Sequence, residues 1–140
     1  MTRLPNKLSE LLRLSVADAR KVAVDPRFKL DMRTWIEITE RGGPCHVCMA
    51  GAVMVKTMRI RRRRWFFPTD IRLQAINAMR TGYFTGAAIY TNERVTGFPK
   101  KERALLKASI IVLAAYNERL RRAPWRAYLK AAAVLEAAGL

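Results

Sequence analysis

Residues 100–122, KKERALLKASIIVLAAYNERLRR, predict the longest helix of this chain. Its large apolar side chains fall nearly all round the helix: Leu105, Leu106, Ile110, Val112 and Leu113. We therefore expect this helix to lie at the centre of the core. The longest apolar run, ASIIVLAAY at 108–116, is far shorter than the roughly 20 residues that cross a bilayer. The stretch predicts a buried helix and no membrane span.

Further segments on either side also have helical spacing. Residues 6–24 carry apolar side chains three and four apart, with Asn6 as the predicted cap, and Pro26 should end this helix before Asp25. Residues 71–80 predict a helix that Thr81-Gly82 ends, and 83–91 a short helical piece before a loop at 92–99. Pro124 suits the first turn of a last helix. One side of that helix is apolar: Trp125, Tyr128, Leu129, Ala132 and Leu135.

The segment between the first two helices has a different pattern. Apolar residues alternate with polar ones over 28–39, which predicts a strand or short hairpin. Residues 41–44, RGGP, form a break, and the small apolar residues of 45–58 predict a second helix. The sum is a mainly α protein. We expect one domain over 1–140, a bundle of five or six helices with a small β element near 28–39.

The composition indicates a negatively charged partner. Within 140 residues there are 27 Lys and Arg against 11 Asp and Glu, a net charge of +16. Residues 41–140 hold 19 of the basic side chains and only 5 of the acidic ones. Such a field attracts polyanions, and arginine, the commoner cation here, pairs bidentately with phosphate or carboxylate. Residues 1–14 lack the apolar region of a signal peptide, so we expect a cytoplasmic protein.

The most basic segment is KTMRIRRRRWFF at 56–67. If it is helical, Lys56, Arg59 and Arg63 share one face and could neutralise successive phosphates, while the aromatic residues that follow could stack on an unpaired base. The alternative is a solvated helix end, with the aromatic side chains in the core. We favour the core for the aromatic residues and phosphate binding for the arginines, because four consecutive like charges repel each other.

A second basic cluster surrounds Pro124. Arg122, Arg126 and Lys130 follow a four-residue spacing and form a stripe if the two helices meet without a sharp bend. A solvated face is the alternative. Together the two clusters give the predicted binding residues: Lys56, Arg59, Arg61, Arg62, Arg63, Arg64, Arg119, Arg122, Arg126 and Lys130.

Sequence-specific DNA reading is not favoured. Gln74, Ala78 and Gly82 have a spacing that resembles the helix-turn-helix motif. However, the segment in the place of the recognition helix, YFTGAAIYT at 83–91, has no Arg, Lys, Asn or Gln to reach base edges. Contacts with the phosphate backbone remain the prediction.

Cys45-His46-Val47-Cys48 is the only candidate for chemistry. At a helix start, Cys45 would have a lowered pKa, as in C-x-x-C oxidoreductases. Such enzymes need a βαβ context that this sequence does not predict, and a zinc site needs four ligands where the chain has one His and two Cys. We favour structural thiols over a redox or metal site, and expect neither an enzyme nor a cofactor or bound metal.

The segment PCHVCMAGAVM at 44–54, with LSELL near the amino terminus and DPRFKLDMRTW at 25–35, resembles small uncharacterised proteins encoded by bacteriophages and prophages. The resemblance covers about the first 60 residues. It implies a small phage-type accessory protein inside the host cell that acts by binding either nucleic acid or a host protein.

Two functions are therefore expected from the sequence. One is a nucleic-acid-binding protein, for DNA or RNA, that grips phosphates. The other is a protein-binding inhibitor or adaptor whose arginines dock on an acidic host surface, such as that of a nucleic-acid-processing enzyme, with Trp65, Phe66 or Trp125 as apolar anchors. Attachment to an anionic membrane surface is a third, less favoured interpretation.

Overall fold

The computed structural model describes residues 4–38, 43–60, 71–80, 98–117 and 124–140. These residues form five helices and three short strands. The predicted mainly α class is confirmed, and so is the small β element. In chain order the elements are α1 (Leu8–Val24), β1 (Phe28–Leu30), β2 (Ile36–Ile38), β3 (Cys45–Val47), α2 (Met49–Lys56), α3 (Ile71–Arg80), α4 (Phe98–Asn117) and α5 (Trp125–Ala137).

Helix α1 ends where the sequence predicts. Asp25 is its C-cap, and the Asp25 carboxylate accepts from the backbone N–H of Arg27 at 3.0 Å, which orders the turn at Pro26. The predicted cap at the other end is wrong. Lys7 occupies the N-cap position without a side-chain hydrogen bond, and the side chain of Asn6 instead accepts from Arg72, the second residue of α3, at 3.2 Å.

The second predicted helix, 45–58, is half wrong. Its first three residues form β3, the central strand of the sheet, parallel to β1 and antiparallel to β2. A strand paired on both sides satisfies its backbone groups through partners distant in sequence, and this small apolar segment has no alternation to reveal it. The chain then turns at Cys48, whose Sγ accepts the backbone N–H of Gly51 at 3.4 Å and caps α2.

The core forms around α1, against which α2, α3, α5 and β1 pack. The largest fully buried side chains come from β3 and all five helices: Leu11, Leu12, Val22, Val47, Met49, Leu73, Ile76, Leu105, Tyr128 and Leu135. The hydroxyl of Ser15 donates to the carbonyl of Met49 at 2.8 Å, so even the buried polar group between α1 and α2 is satisfied.

The prediction that the longest helix lies at the centre of the core is wrong. Helix α4 packs against α3 and α5, and buries Leu105, Ala108 and Val112. Ile111 is half-buried against the core, whereas Leu106, Ile110 and Leu113 are exposed. It also starts two residues earlier than predicted, because Pro99 fits the first turn of a helix, where its missing N–H has no intrahelical partner to lose.

Helix α5 buries the predicted face, with Tyr128, Ala132 and Leu135 in the core and Trp125 and Leu129 packed against it. Pro124 is its N-cap, one position before the predicted one.

Candidate nucleic-acid interface

Four of the ten predicted binding residues lie in the part of the chain that the structure describes. They are Lys56, Arg59, Arg126 and Lys130. The other six lie outside the described residues: Arg61, Arg62, Arg63, Arg64, Arg119 and Arg122. The predicted helical piece at 83–91 also lies outside them, as do Trp65, Phe66 and Phe67.

Lys56, at the end of α2, is engaged within the protein. Its Nζ donates to Oδ2 of Asp25 at 2.7 Å and lies 5.0 Å from the centroid of the Phe28 ring. The side chain is only 18% exposed. A phosphate would have to compete with the Asp25 carboxylate for this ammonium group. Lys56 should therefore bind a polyanion more weakly than an exposed, unpaired arginine does.

Arg59 does not share a helical face with Lys56, and this part of the sequence-based prediction is wrong. The N–H groups of Thr57 and Met58 both donate to the carbonyl of Val53 at 3.0 Å, and that of Ile60 donates to Met54 at 3.1 Å. These bonds close the helix through a left-handed residue, and Arg59 is that residue, with φ of 53°. Its side chain is exposed and has no ion-pair or hydrogen-bond partner among the described residues.

Arg126 and Lys130 lie one turn apart on α5, and both side chains are exposed. Neither forms an ion pair within the described ranges. The structure thus confirms that these two residues share a face, as their four-residue spacing predicts. The third member of the predicted stripe, Arg122, lies before Pro124 and outside the described residues.

Two contacts between α1 and α5 place the two clusters toward the same end of α1. The hydroxyl of Ser9 donates to the carbonyl of Leu140 at 2.7 Å, and Arg13 donates to Glu136 at 2.6 Å. Residue numbers rise along α1 as they fall along α5, so the helices run antiparallel. The start of α5, with Arg126, therefore lies toward the C-terminal half of α1.

The end of α2 is bound to that same half of α1. Thr57 donates to the fully buried carboxylate of Asp18, and Lys56 pairs with Asp25 just beyond the last turn. Arg59 follows directly. The C-terminal half of α1 therefore lies beside both predicted clusters.

One further cation belongs to this surface and was missed from the sequence. Arg20 is exposed and lies seven residues after Arg13, on the same face of α1. Arg13 pairs with Glu136, and the two helices run antiparallel. Moving seven residues along each helix therefore brings Arg20 of α1 opposite Leu129 of α5. Arg20 thus lies beside the turns of α5 that carry Arg126 and Lys130. Its spacing of seven residues from Arg13, which puts both cations on one face of the predicted helix, was the available signal. We call Arg20, Arg59, Arg126 and Lys130 the basic end.

Four carboxylates of the described residues form ion pairs with basic residues that do not belong to the basic end. Asp18, Asp25, Asp31 and Glu136 each contact a basic side chain within 3.4 Å or less. Arg27, and then Lys56, hold the pKa of Asp25 well below its usual range. Arg33 first, and His46 with it, lower the pKa of Asp31. The basic end is left without an acidic counterpart among these four carboxylates.

The cysteine motif has a structural place in the fold. Cys48 is fully buried as the cap of α2, whereas Cys45 opens β3 and not a helix, so the predicted helix-dipole effect on its pKa is wrong. Burial raises the pKa of the Cys45 thiol, the opposite of what a reactive thiolate requires. Nδ1 of His46 lies 3.1 Å from Asp31. Among the described residues no group of three or more His, Cys, Asp or Glu side chains is placed to hold a metal ion.

Compared with protein-family models, with curated proteins and with solved structures, the chain finds no match. In the described part of the chain, none of the helices combines the length and apolar character that crossing a membrane requires.

The Asp25 ion pairs predict a specific loss of stability in acid. A folded-state pKa below the unfolded value of about 3.9 stabilises the fold above that pH, and the stabilisation is lost as the pH falls through it. We expect Asp25→Asn to be less stable than the unsubstituted protein at pH 7, with the difference narrowing below about pH 4. Urea unfolding at constant ionic strength from pH 7 to 2 measures it.

The control for that experiment is Glu37→Gln, at an exposed position of β2. Glu37 forms no ion pair among the described residues, so its replacement should leave the free energy of unfolding at pH 7 close to that of the unsubstituted protein. A stability difference for Asp25→Asn that stays constant from pH 7 to 2 would contradict the assignment.

Proposed function

We propose that this chain binds nucleic acid through phosphate contacts made by the basic end. The arginine run 61–64 begins two residues after Arg59 in the sequence, and Arg122 precedes Pro124 by two residues. Both predicted clusters thus continue from segments that each lie beside the C-terminal half of α1. We include Arg61 to Arg64, Arg119 and Arg122 as further phosphate contacts. Lys56 should contribute less to the binding free energy, because its ammonium group is paired with Asp25.

The observation that carries the proposal is the backbone of Arg59. A left-handed conformation costs an L-amino acid roughly 1–2 kcal/mol, and glycine takes that position at the end of many helices without the cost. Here the position is occupied by an exposed arginine whose side chain contacts no acidic group in the described ranges. A residue that strains the backbone and makes no stabilising contact is typical of a functional position.

The binding we propose is largely independent of base sequence. Phosphate contacts position a protein on nucleic acid but carry no sequence information. The basic end comprises three arginines and one lysine, carried by α1, by the turn after α2 and by α5. The proposal treats 1–140 as one helical domain, a bundle of five or six helices, from a small phage-type protein, as the sequence predicts.

Arg59→Gly is expected to stabilise the protein and weaken binding at the same time. Removing the backbone strain should raise Tm by about 4 °C. With one phosphate fewer neutralised, the slope of log K against log salt on duplex DNA should become shallower by about 0.9. Differential scanning calorimetry and fluorescence anisotropy with a labelled duplex measure the two effects on the same preparation.

Two matched variants control this experiment. Arg59→Lys keeps the charge and the strain, so its Tm and salt slope should both stay close to those of the unsubstituted protein. Lys7→Ser removes a cation beside the opposite end of α1, and its salt slope should not change. If Arg59→Gly binds duplex DNA and RNA as tightly as the unsubstituted protein, Arg59 is not a phosphate contact and the proposal loses its main support.

A further inference from the structure

Helix α4 exposes an apolar stripe. Leu106 is 49% exposed, Ile110 68% and Leu113 37%, and their spacing of four and three residues puts them on one face. The opposite face of the same helix packs into the core. Single exposed apolar residues are ordinary on a protein surface, whereas three in succession along one helix mark an interaction site.

Two cations border this stripe. Arg103 and Lys107 are exposed one turn apart, and each lies three residues before a member of the stripe. Neither forms an ion pair with the described carboxylates. Glu102, four residues before Leu106, is also exposed and lies on the other border of the stripe. The two cations therefore lie along one border of the apolar stripe.

We propose that this face binds an amphipathic helix of another protein, one whose apolar side chains are flanked by Asp or Glu. Anchors at i, i+4 and i+7 match the spacing by which one helix packs along another. The flanking cations select an acidic partner, because opposite charges bordering an interface favour the encounter. A second copy of this chain fits less well, since each copy carries a net charge of +16.

The probe is a labelled synthetic 20-residue peptide, with leucines at helical spacing and glutamates between them. A shuffled peptide of the same composition lacks the apolar face. We expect anisotropy to show binding of the first peptide and not the second. Ile110→Ser should weaken that binding about tenfold, because it removes a central apolar anchor. Val24→Ser, at an 84% exposed residue of α1, should leave it unchanged.

Charge selection is tested separately. Arg103→Ala with Lys107→Ala should weaken binding of the glutamate peptide but not of a peptide with glutamine in place of glutamate. Equal binding of the ordered and shuffled peptides would overturn the proposal, since it would show that charge alone attracts them.

Three further results would contradict the acidic helix as the partner of the apolar stripe and would identify what covers the stripe instead. A protein that is dimeric by light scattering and becomes monomeric as Ile110→Ser places a second copy on the stripe. Flotation with vesicles of phosphatidylcholine and phosphatidylglycerol that Ile110→Ser abolishes places a membrane there. A fall in Tm of more than about 5 °C in Ile110→Ser, the size of a core defect, places the chain's own residues there. Duplex DNA binding by Ile110→Ser should stay unchanged, so this proposal and that of the basic end succeed or fail independently.

Discussion

Replacing Arg61, Arg62, Arg63 and Arg64 together with serine is expected to abolish binding to nucleic acid. Each phosphate that the protein neutralises on duplex DNA adds about 0.9 to the steepness of the salt slope, so removing four such arginines takes away most of the attraction at physiological salt. The arginines repel each other, and their replacement should therefore leave thermal stability nearly unchanged. Anisotropy across a salt series and thermal unfolding followed by circular dichroism measure the two effects.

The matched control removes four cations from described positions elsewhere. Serine at Lys7, Lys29, Lys101 and Arg103 lowers the net charge by the same amount but leaves the basic end and the arginine run intact. This variant should keep most of the affinity for duplex DNA. Equal losses of affinity in both variants would show that net charge, and not a site, attracts the polymer. Loss of a cooperative unfolding transition in the 61–64 variant would show that the run is structural, which contradicts the proposed function.

Gly51→Ala is expected to be the most destabilising small substitution in the described part of the chain. A Cβ at this position of α2 would lie 1.9 Å from the carbonyl oxygen of Trp35 and 3.0 Å from Cβ of Val47. The oxygen belongs to the backbone and is held at 3.1 Å by the N–H of Cys48, so it cannot turn away. We expect a loss of about 3 kcal/mol or more in the free energy of unfolding, measured in urea.

Gly139→Ala separates that steric effect from backbone strain. Nothing lies within 4 Å of a Cβ at Gly139, but its φ is +75°, so the expected cost is only about 1 kcal/mol. If Gly51→Ala lost no more stability than Gly139→Ala, the close packing of α2 against Trp35 would be wrong, and with it the position of the turn that carries Arg59.

The helices that the sequence predicts well are those whose burial follows from local spacing. Helices α1, α3 and α5 have one apolar face each, and a Pro or Gly near one end marks a boundary. Strand β3 has no such signal, because its pairing partners lie 17 residues before it in β1 and 7 to 11 residues before it in β2. The place of α4 was mispredicted because apolar composition does not show which side its neighbours cover.

The sequence also predicts only those features of the candidate site that depend on composition and local spacing. Net charge and clustering identify the arginines, and the shared face of Arg126 and Lys130 follows from their spacing. The ion pair of Lys56 with Asp25, 31 residues away, and the left-handed backbone of Arg59 depend on how the helix end meets α1. Arg20 joins the surface only because α5 runs antiparallel to α1.

The salt dependence of nucleic-acid binding tests the central claim most directly. Fluorescence anisotropy of the purified, nuclease-treated protein is measured against duplex DNA, single-stranded DNA and RNA across a salt series. The account predicts tight binding at low salt whose log K falls linearly with log salt, with a slope near −0.9 for each phosphate neutralised on duplex DNA. Binding that is weak at every salt concentration and absent at physiological salt would contradict it. That result would favour an acidic protein surface as the partner of the basic end.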